Sequence, residues 1–262
     1  MTAVSEKAME VAPDSRREFL RNLLSGAATA TVLMVFGPGV SAKHLTHRQG
    51  HAETEHEWAY VININNCIGC GNCVRACGRE NAVPAGVFRT WVERYVVTED
   101  GVYVESPNGA LQGFESVNSE IAKNAKLSFT VPKMCNHCLN PPCVQVCPVG
   151  ATFRSPDGFV LIDESHCLGC GYCVQACPYG ARYINPVKHK SDKCTWCYHR
   201  VKAGKLPACV TVCPTKTRLF GDLKDPDSEV AQIFKDDKWM ILKPHMDTTP
   251  YCFYVGLPRE VI

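Results

Sequence analysis

Sixteen of the seventeen cysteines in this 262-residue chain fall into four quartets, and no other feature constrains the fold so tightly. The first quartet is Cys67, Cys70, Cys73 and Cys77; the third is Cys167, Cys170, Cys173 and Cys177, followed by Pro178. Both read C-x2-C-x2-C-x3-C, a run in which three thiolates wrap one 4Fe–4S cubane while the fourth points away to ligate a second. The second quartet, Cys135, Cys138, Cys143 and Cys147 with Pro148, widens the middle gap to four residues and places Pro141 and Pro142 there. The fourth, Cys194, Cys197, Cys209 and Cys213 with Pro214, widens it to eleven. A proline after the last cysteine has no N–H to donate and biases that cysteine toward extended backbone, so its thiolate can turn toward a neighbouring cluster. The first quartet departs from this, with Gly78 at that place.

Two other uses of sixteen cysteines compete. Disulfide scaffolds are usually short and do not repeat C-x2-C-x2-C. Structural zinc usually pairs two C-x2-C knuckles rather than three cysteines at successive two-residue gaps, so a zinc-stapled structural or assembly protein is the remote alternative. The spacing predicts four 4Fe–4S clusters with these sixteen cysteines as iron ligands, and one-electron transfer as the role. No catalytic triad, phosphate loop or substrate pocket is legible, so the chain is not expected to be an enzyme on its own.

Ahead of the cysteines lies an address. Residues 15–21, SRREFLR, form a twin-arginine pattern, followed by an apolar stretch from Leu23 to Phe36 and the small-residue site Val40-Ser41-Ala42. That route carries folded, cofactor-loaded proteins, which suits clusters acquired before export and predicts a periplasmic location or the outer face of the cytoplasmic membrane. The apolar stretch is short of the roughly 20 residues that span a bilayer, so cleavage near Lys43 is expected, leaving no transmembrane span in the mature chain. A formal charge of +2 with scattered Lys and Arg excludes a nucleic-acid partner.

The layout that follows is a signal at 1–42, a polar leader at 43–57, a cluster core at 58–221 with an insertion at 84–133, and a C-terminal tail at 222–262 that packs on the core. The leader carries His44, His47, His51 and His56 at irregular spacing and reads as a solvated tether. Within the core, Val61–Cys77 repeats as Leu161–Cys177 at an offset of 100 residues, CIGCGNCVRAC against CLGCGYCVQAC, each after an apolar strand end. Two ferredoxin-like units are implied. Alternation over 89–105 around Thr98-Glu-Asp-Gly101 predicts a hairpin, a second is expected at 155–163 turning at Ser155-Pro-Asp-Gly158, and 251–255 reads as a final strand. Cys252, in that strand, reads as a buried structural thiol.

Lys133, Lys193, Arg200 and Lys216 flank the motifs, where cations raise the potential of an anionic cluster. Trp196 and Tyr198 are placed to shield a cluster. His137 and His199 are not needed as ligands, because every quartet is complete.

With CNHCLNPPCVQVCPVGATF, CPYGARYINP, DKCTWCYHR and PACVTVCPTKTRLFGDLKDP in this order, the chain resembles the four-cluster ferredoxin-like subunits of membrane oxidoreductases, of tetrathionate, polysulfide, dimethyl sulfoxide and nitrite reductase type. Within that family RTWVERYVV, VESPNG and the ILKP…YVGL ending most resemble the DsrO-type periplasmic iron–sulfur subunits of Dsr transmembrane complexes. The resemblance implies a ligand partition: Cys67, Cys70 and Cys73 with Cys213; Cys194, Cys197 and Cys209 with Cys77; Cys135, Cys138 and Cys143 with Cys177; Cys167, Cys170 and Cys173 with Cys147. It implies an α+β fold of two bacterial ferredoxin-like units in a pseudo-two-fold repeat, cross-tied by four 4Fe–4S clusters, with β-hairpin insertions. The partners it implies are an integral membrane quinone-interacting subunit and a c-type cytochrome or other redox subunit, or alternatively a molybdopterin catalytic subunit.

Overall fold

A computed structural model defines the fold over residues 54–115, 119–236 and 238–261. The signal at 1–42 and residues 43–53 of the leader, with His44, His47 and His51, lie outside the described residues. The end of the leader departs from a solvated tether. His56 Nδ1 lies 2.7 Å from Asp222 Oδ2, Glu57 N donates to Asp222 Oδ1 at 2.8 Å, and the His56 ring packs on Trp58, so one carboxylate and one indole hold the entry to the core.

The chain then forms β1 (Trp58–Asn63), in which Ala59, Tyr60, Val61 and Ile62 are all fully buried. An unbroken apolar run of this kind fits a strand covered on both faces. After α1 (Asn72–Glu80) come β2 (Thr90–Val97), β3 (Val102–Glu105), the short helix α2 (Ser119–Lys123) and β4 (Leu127–Met134). They make an antiparallel sheet ordered β3-β2-β4. The expected first hairpin is present, with Val97 opposite Val102 and Thr98 N donating to Gly101 O at 2.9 Å. Its third strand is not visible in the alternation. β4 pairs with β2 throughout, from Thr90 opposite Met134 to Val97 opposite Leu127, and carries Pro132, which an edge strand accommodates.

Next follow α3 (Pro142–Gln145), β5 (Thr152–Arg154), β6 (Val160–Ile162), α4 (Tyr172–Gln175), β7 (Arg182–Ile184), β8 (Ser191–Lys193), α5 (Tyr198–Val201), α6 (Ala208–Thr211) and β9 (Arg218–Asp222). β5 and β6 form the second hairpin through a turn closed by Gly158 N on Ser155 O at 2.9 Å. It begins at Thr152 rather than Ser155, because Ser155 belongs to the turn. β7 pairs with β8 in the same antiparallel way.

The C-terminal segment contributes α7 (Glu229–Lys235), β10 (Trp239–Met240) and β11 (Cys252–Val255). β11 lies parallel to β1, Tyr60 opposite Cys252, and β9 flanks β1 on its other edge, giving the order β10-β11-β1-β9. The final strand therefore completes the interior of the sheet rather than packing over it. Among the helices, α1 of the first quartet packs against α6 of the fourth, and α3 of the second against α4 of the third.

Candidate metal centres

In both halves of the repeat a strand leads the chain into a C-x-G-C-G-x-C loop, whose first glycine takes a left-handed conformation. Gly69 and Gly169 have φ of +67° and +71°, in the left-handed region that costs a residue with a Cβ. A Cβ on Gly169 would lie 2.2 Å from the carbonyl oxygen of His189, and one on Gly69 would lie 2.9 Å from the Phe114 ring.

The structure gathers thiols from different quartets. Cys67, Cys70, Cys73 and Cys213 line one narrow cleft, together with Arg218. Cys147, Cys167, Cys170 and Cys173 line another, with Ser191 at its wall. Asn81 Nδ2 lies 3.6 Å from Cys77 Sγ and 3.7 Å from Cys197 Sγ, which joins the end of the first quartet to the fourth. Burial, and then the nearby Cys209 and Cys197, push the Cys77 thiol upward; Cys194 is raised by burial and then by Cys77, Cys209 and Cys197. Burial followed by Cys135, Cys143 and Cys177 raises Cys138. Among the described residues no three Cys, His, Asp or Glu side chains are placed to hold a single metal ion.

Each terminal cysteine followed by proline sits in a nest of N–H groups. Burial would raise Cys147, but the N–H groups of Thr152, Val149 and Ala151 hold it below its ordinary value. Burial likewise opposes, without overcoming, the Arg218, Thr217 and Thr215 N–H groups around Cys213, helped by the Thr215 hydroxyl. At Cys177 burial wins, although Ala181 and Tyr179 donate in the same way. The donors stand two, four and, at Cys147 and Cys213, also five residues after the cysteine, because the proline breaks the helix and the following loop curls its amides toward sulfur. Cys77 lacks this device. Gly78 lets α1 continue to Glu80, and the Asn81 side chain approaches the sulfur instead.

Other thiols are hydrogen-bonded as well. Ser191 N donates to Cys167 Sγ at 3.4 Å and Trp196 N to Cys194 Sγ at 3.3 Å; Cys173 Sγ donates to Ser191 Oγ at 3.1 Å, and Tyr60 Oη is within hydrogen-bond distance of Cys209 Sγ, at 3.1 Å. A thiolate that accepts several N–H and O–H bonds keeps its charge at lower cost when buried.

The cations nearest the thiols are not, for the most part, those next to the cysteines in sequence. Lys133 is tied to Glu93 at 2.6 Å, Arg200 to Glu80 at 2.9 Å, and Lys216 is exposed. Lys193 is fully buried, its ammonium donating to Val160 O at 2.5 Å and Cys194 O at 2.8 Å. Arg182 and Arg218, which adjacency to a cysteine does not single out, are only 4% and 1% exposed and lie among the thiols. Their signal in the sequence is a shared C-P-x3-R, in CPYGAR and CPTKTR.

Two stretches match the 4Fe–4S dicluster domain, residues 66–151 and 127–223. A tetrathionate reductase subunit of Salmonella typhimurium is 43% identical over 246 residues, covering 93% of this chain and 88% of that protein. The chain belongs to the 4Fe–4S electron-transfer subunit family. The corresponding tetrathionate reductase subunit of Archaeoglobus fulgidus is also 43% identical, over 83% of this chain and 91% of its own. The iron–sulfur subunit of a putative dimethyl sulfoxide reductase of Halobacterium salinarum is 38% identical, over 76% of this chain and 79% of its own. As in that family, the chain is an electron-transfer component and not a catalytic subunit. The core consists of two 4Fe–4S dicluster ferredoxin-like domains with mixed helix and sheet. These relatives support the broad resemblance and not the finer DsrO-type one.

The residues fit such clusters. Nε and Nη2 of Arg182 are buried without a hydrogen-bond partner, and among the described residues neither Arg182 nor Arg218 pairs with a carboxylate. A buried, uncompensated guanidinium is expensive, and thiolate-bound clusters held by these cysteines would supply the missing negative charge.

Trp196 is buried, stacked on His137 with centroids 4.1 Å apart, and in edge contact with Phe159 and Phe220. His137 accepts from Val160 N at Nδ1, 3.1 Å, so Nε2 carries the proton and donates to Cys194 O at 3.1 Å. Both ring nitrogens are thus used by backbone, and burial keeps the ring neutral. Tyr198 packs edge-on against Phe159, and His199 lies 2.8 Å from Glu80. Cys252 is fully buried, and burial pushes its thiol up to about 12, which makes it a packing residue rather than a nucleophile.

Proposed function

We propose that this chain is the electron-transfer subunit of a molybdopterin oxidoreductase of the tetrathionate or polysulfide reductase type, holding four 4Fe–4S clusters that each take up and release single electrons. The observation that carries this reading is the 43% identity with the Salmonella typhimurium tetrathionate reductase subunit, extending over nearly the whole chain.

The ligand partition we assign is that of the four thiol groups: Cys67, Cys70, Cys73 and Cys213; Cys194, Cys197, Cys209 and Cys77; Cys135, Cys138, Cys143 and Cys177; Cys167, Cys170, Cys173 and Cys147. Packing of α1 on α6 and α3 on α4 supports it, since each helix pair joins the quartets that exchange a terminal cysteine. The protein's part is to bind, to exclude water and to set potentials. Buried thiols, N–H nests at Cys147, Cys177 and Cys213 and the Trp196 aromatic group perform those tasks.

The twin-arginine pattern supports assembly before export and a site at the outer face of the cytoplasmic membrane. Among the described residues no helix is long and apolar enough to cross a membrane. Exchange with a quinone-interacting membrane subunit on one side and the catalytic subunit on the other fits that arrangement. A Dsr-type assembly is the second reading, favoured by RTWVERYVV, which contains β2, and by the ILKP…YVGL ending around β11. Metal and heme analysis of the complex co-purified from native membranes decides between them. Molybdenum or tungsten with a pterin-bearing large subunit is expected; covalent c-type heme without either metal would overturn the molybdopterin assignment in favour of the Dsr type.

A further inference from the structure

Arg182 is the first residue of β7 and Arg218 the first of β9, and each stands five residues after a terminal cysteine, Cys177 or Cys213. At the equivalent place after Cys147 stands Thr152, the first residue of β5. One local rule produces all three: the proline ends the helical turn, the loop donates its amides to sulfur, and a strand begins. The side chain at that place points back among the thiols.

Each arginine lies between two thiol groups. Arg218 lines the cleft of Cys67, Cys70, Cys73 and Cys213, and the thiolates of Cys73 and Cys209, from two different groups, both act on it. Nη2 donates to Thr90 Oγ1 at 2.8 Å, and Nη1 lies 4.0 Å from Met134 Sδ, so the strands β2 and β4 hold it in place. Arg182 Nη1 donates to Thr152 Oγ1 at 3.2 Å and to Ser191 Oγ at 3.5 Å, and those two residues contact Cys147 and Cys173 in turn. Its other charge partners, Cys143 and Cys135, belong to the adjoining group. Lys193 differs, because two carbonyl oxygens already solvate its ammonium.

We propose that Arg182 and Arg218 are paired tuning residues: each is a buried cation shared by two neighbouring clusters, and raises the reduction potentials of both. Arg182 serves the Cys135 and Cys167 groups, Arg218 the Cys67 and Cys194 groups. Reduction adds one electron and so one negative charge to a cluster. A fixed guanidinium favours that state on either side of it, and it neither gives nor takes a proton. The planar fork, with donors on several edges, suits a charge that must face two anions.

The inference rests on the four-cluster reading above, and its test separates the two. Wild-type protein and the Arg182→Gln and Arg218→Gln variants are analysed for iron and acid-labile sulfide. They are then titrated with dithionite under mediators while EPR follows each cluster, the signals being assigned by serine variants of Cys67, Cys197, Cys138 and Cys170. Arg182→Gln is expected to weaken reduction of the Cys135 and Cys167 clusters at least about tenfold each, about 59 mV for a one-electron couple, and to leave the other two unchanged. Arg218→Gln gives the mirror result. A shift in one cluster only, an equal shift in all four, or no shift overturns the inference while leaving the reading intact. Wild-type protein without four clusters removes both. If a glutamine variant does not load, the lysine variant is read in its place. Keeping the charge at shorter reach, it should move both potentials of the pair down by a smaller step, and four unchanged potentials would assign the arginine to assembly and overturn the inference.

Discussion

Trp196 Nε1 donates to the carbonyl oxygen of Cys135 at 3.0 Å, and this bond ties the fourth cysteine quartet to the second in the middle of the protein. The same indole stacks on His137, whose Nε2 returns the tie by donating to Cys194 O at 3.1 Å. The two bonds run in opposite directions across one junction. Trp196→Phe keeps most of the ring contacts and removes the donor, leaving a buried carbonyl unpaired. We expect a loss of about 1–3 kcal/mol, read as an earlier denaturant midpoint for bleaching of the visible absorption, with the cluster count of the native protein unchanged.

A terminal cysteine should matter far from its own quartet. Cys213 lines the cleft of Cys67, Cys70 and Cys73, while Cys77 lies with Cys197, Cys194 and Cys209. Cys213→Ser is expected to remove or convert the cluster of the first quartet's group and spare that of Cys194, Cys197 and Cys209; Cys77→Ser should do the reverse. EPR spin counts on the two variants check this. Loss in each case of the cluster nearest in sequence would refute the partition.

The glycine in the second copy of the repeat offers a steric test. Gly169→Ala places a methyl group 2.2 Å from the His189 carbonyl in a left-handed conformation, whereas the same change at Gly180, φ +63°, meets nothing within 4 Å. Gly180→Ala should cost about 1–2 kcal/mol through backbone strain and leave cluster content alone. Gly169→Ala should lower iron content by about four atoms per chain through loss of one cluster. Equal iron in the two variants would show that the loop can yield.

The inserted sheet carries a pH signature. Burial alone would raise Glu93, but hydrogen bonds from Lys133, Trp91 and Tyr95 more than offset it and hold the carboxyl below its ordinary value. A folded-state value below the unfolded one means that the group stabilises the fold above the unfolded carboxylate pKa, and that this stabilisation is lost as pH falls through the lower, folded value. Glu93→Gln should therefore speed amide exchange in β2 and β4 throughout the neutral range, and the difference from wild type should shrink only at acid pH below the usual carboxylate range. A difference that persisted unchanged into that acid range would contradict the assignment.

The cysteine quartets, the repeat and both hairpins were legible because each is a local pattern: fixed ligand gaps, period-two alternation and turn residues such as Asp-Gly. What escaped was set by contacts across the chain. β4 was obscured by Pro132 and Lys133, which suit an edge strand but interrupt an alternation. β11 read correctly as a strand, yet its parallel place beside β1 depends on residues nearly two hundred positions away. Of the cations next to the cysteines in sequence, Lys133 and Arg200 are ion-paired, Lys216 is exposed and Lys193 is buried, whereas the buried Arg182 and Arg218 stand five residues beyond a terminal cysteine, where only the fold shows them among the thiols.

The most direct test of the account is the metal content of the purified protein. Four cubanes predict about sixteen iron atoms and as much acid-labile sulfide per chain, in a brown protein with broad absorption near about 400 nm. A colourless protein with zinc bound in place of iron, or one that holds iron for only two clusters when fully loaded, would contradict it.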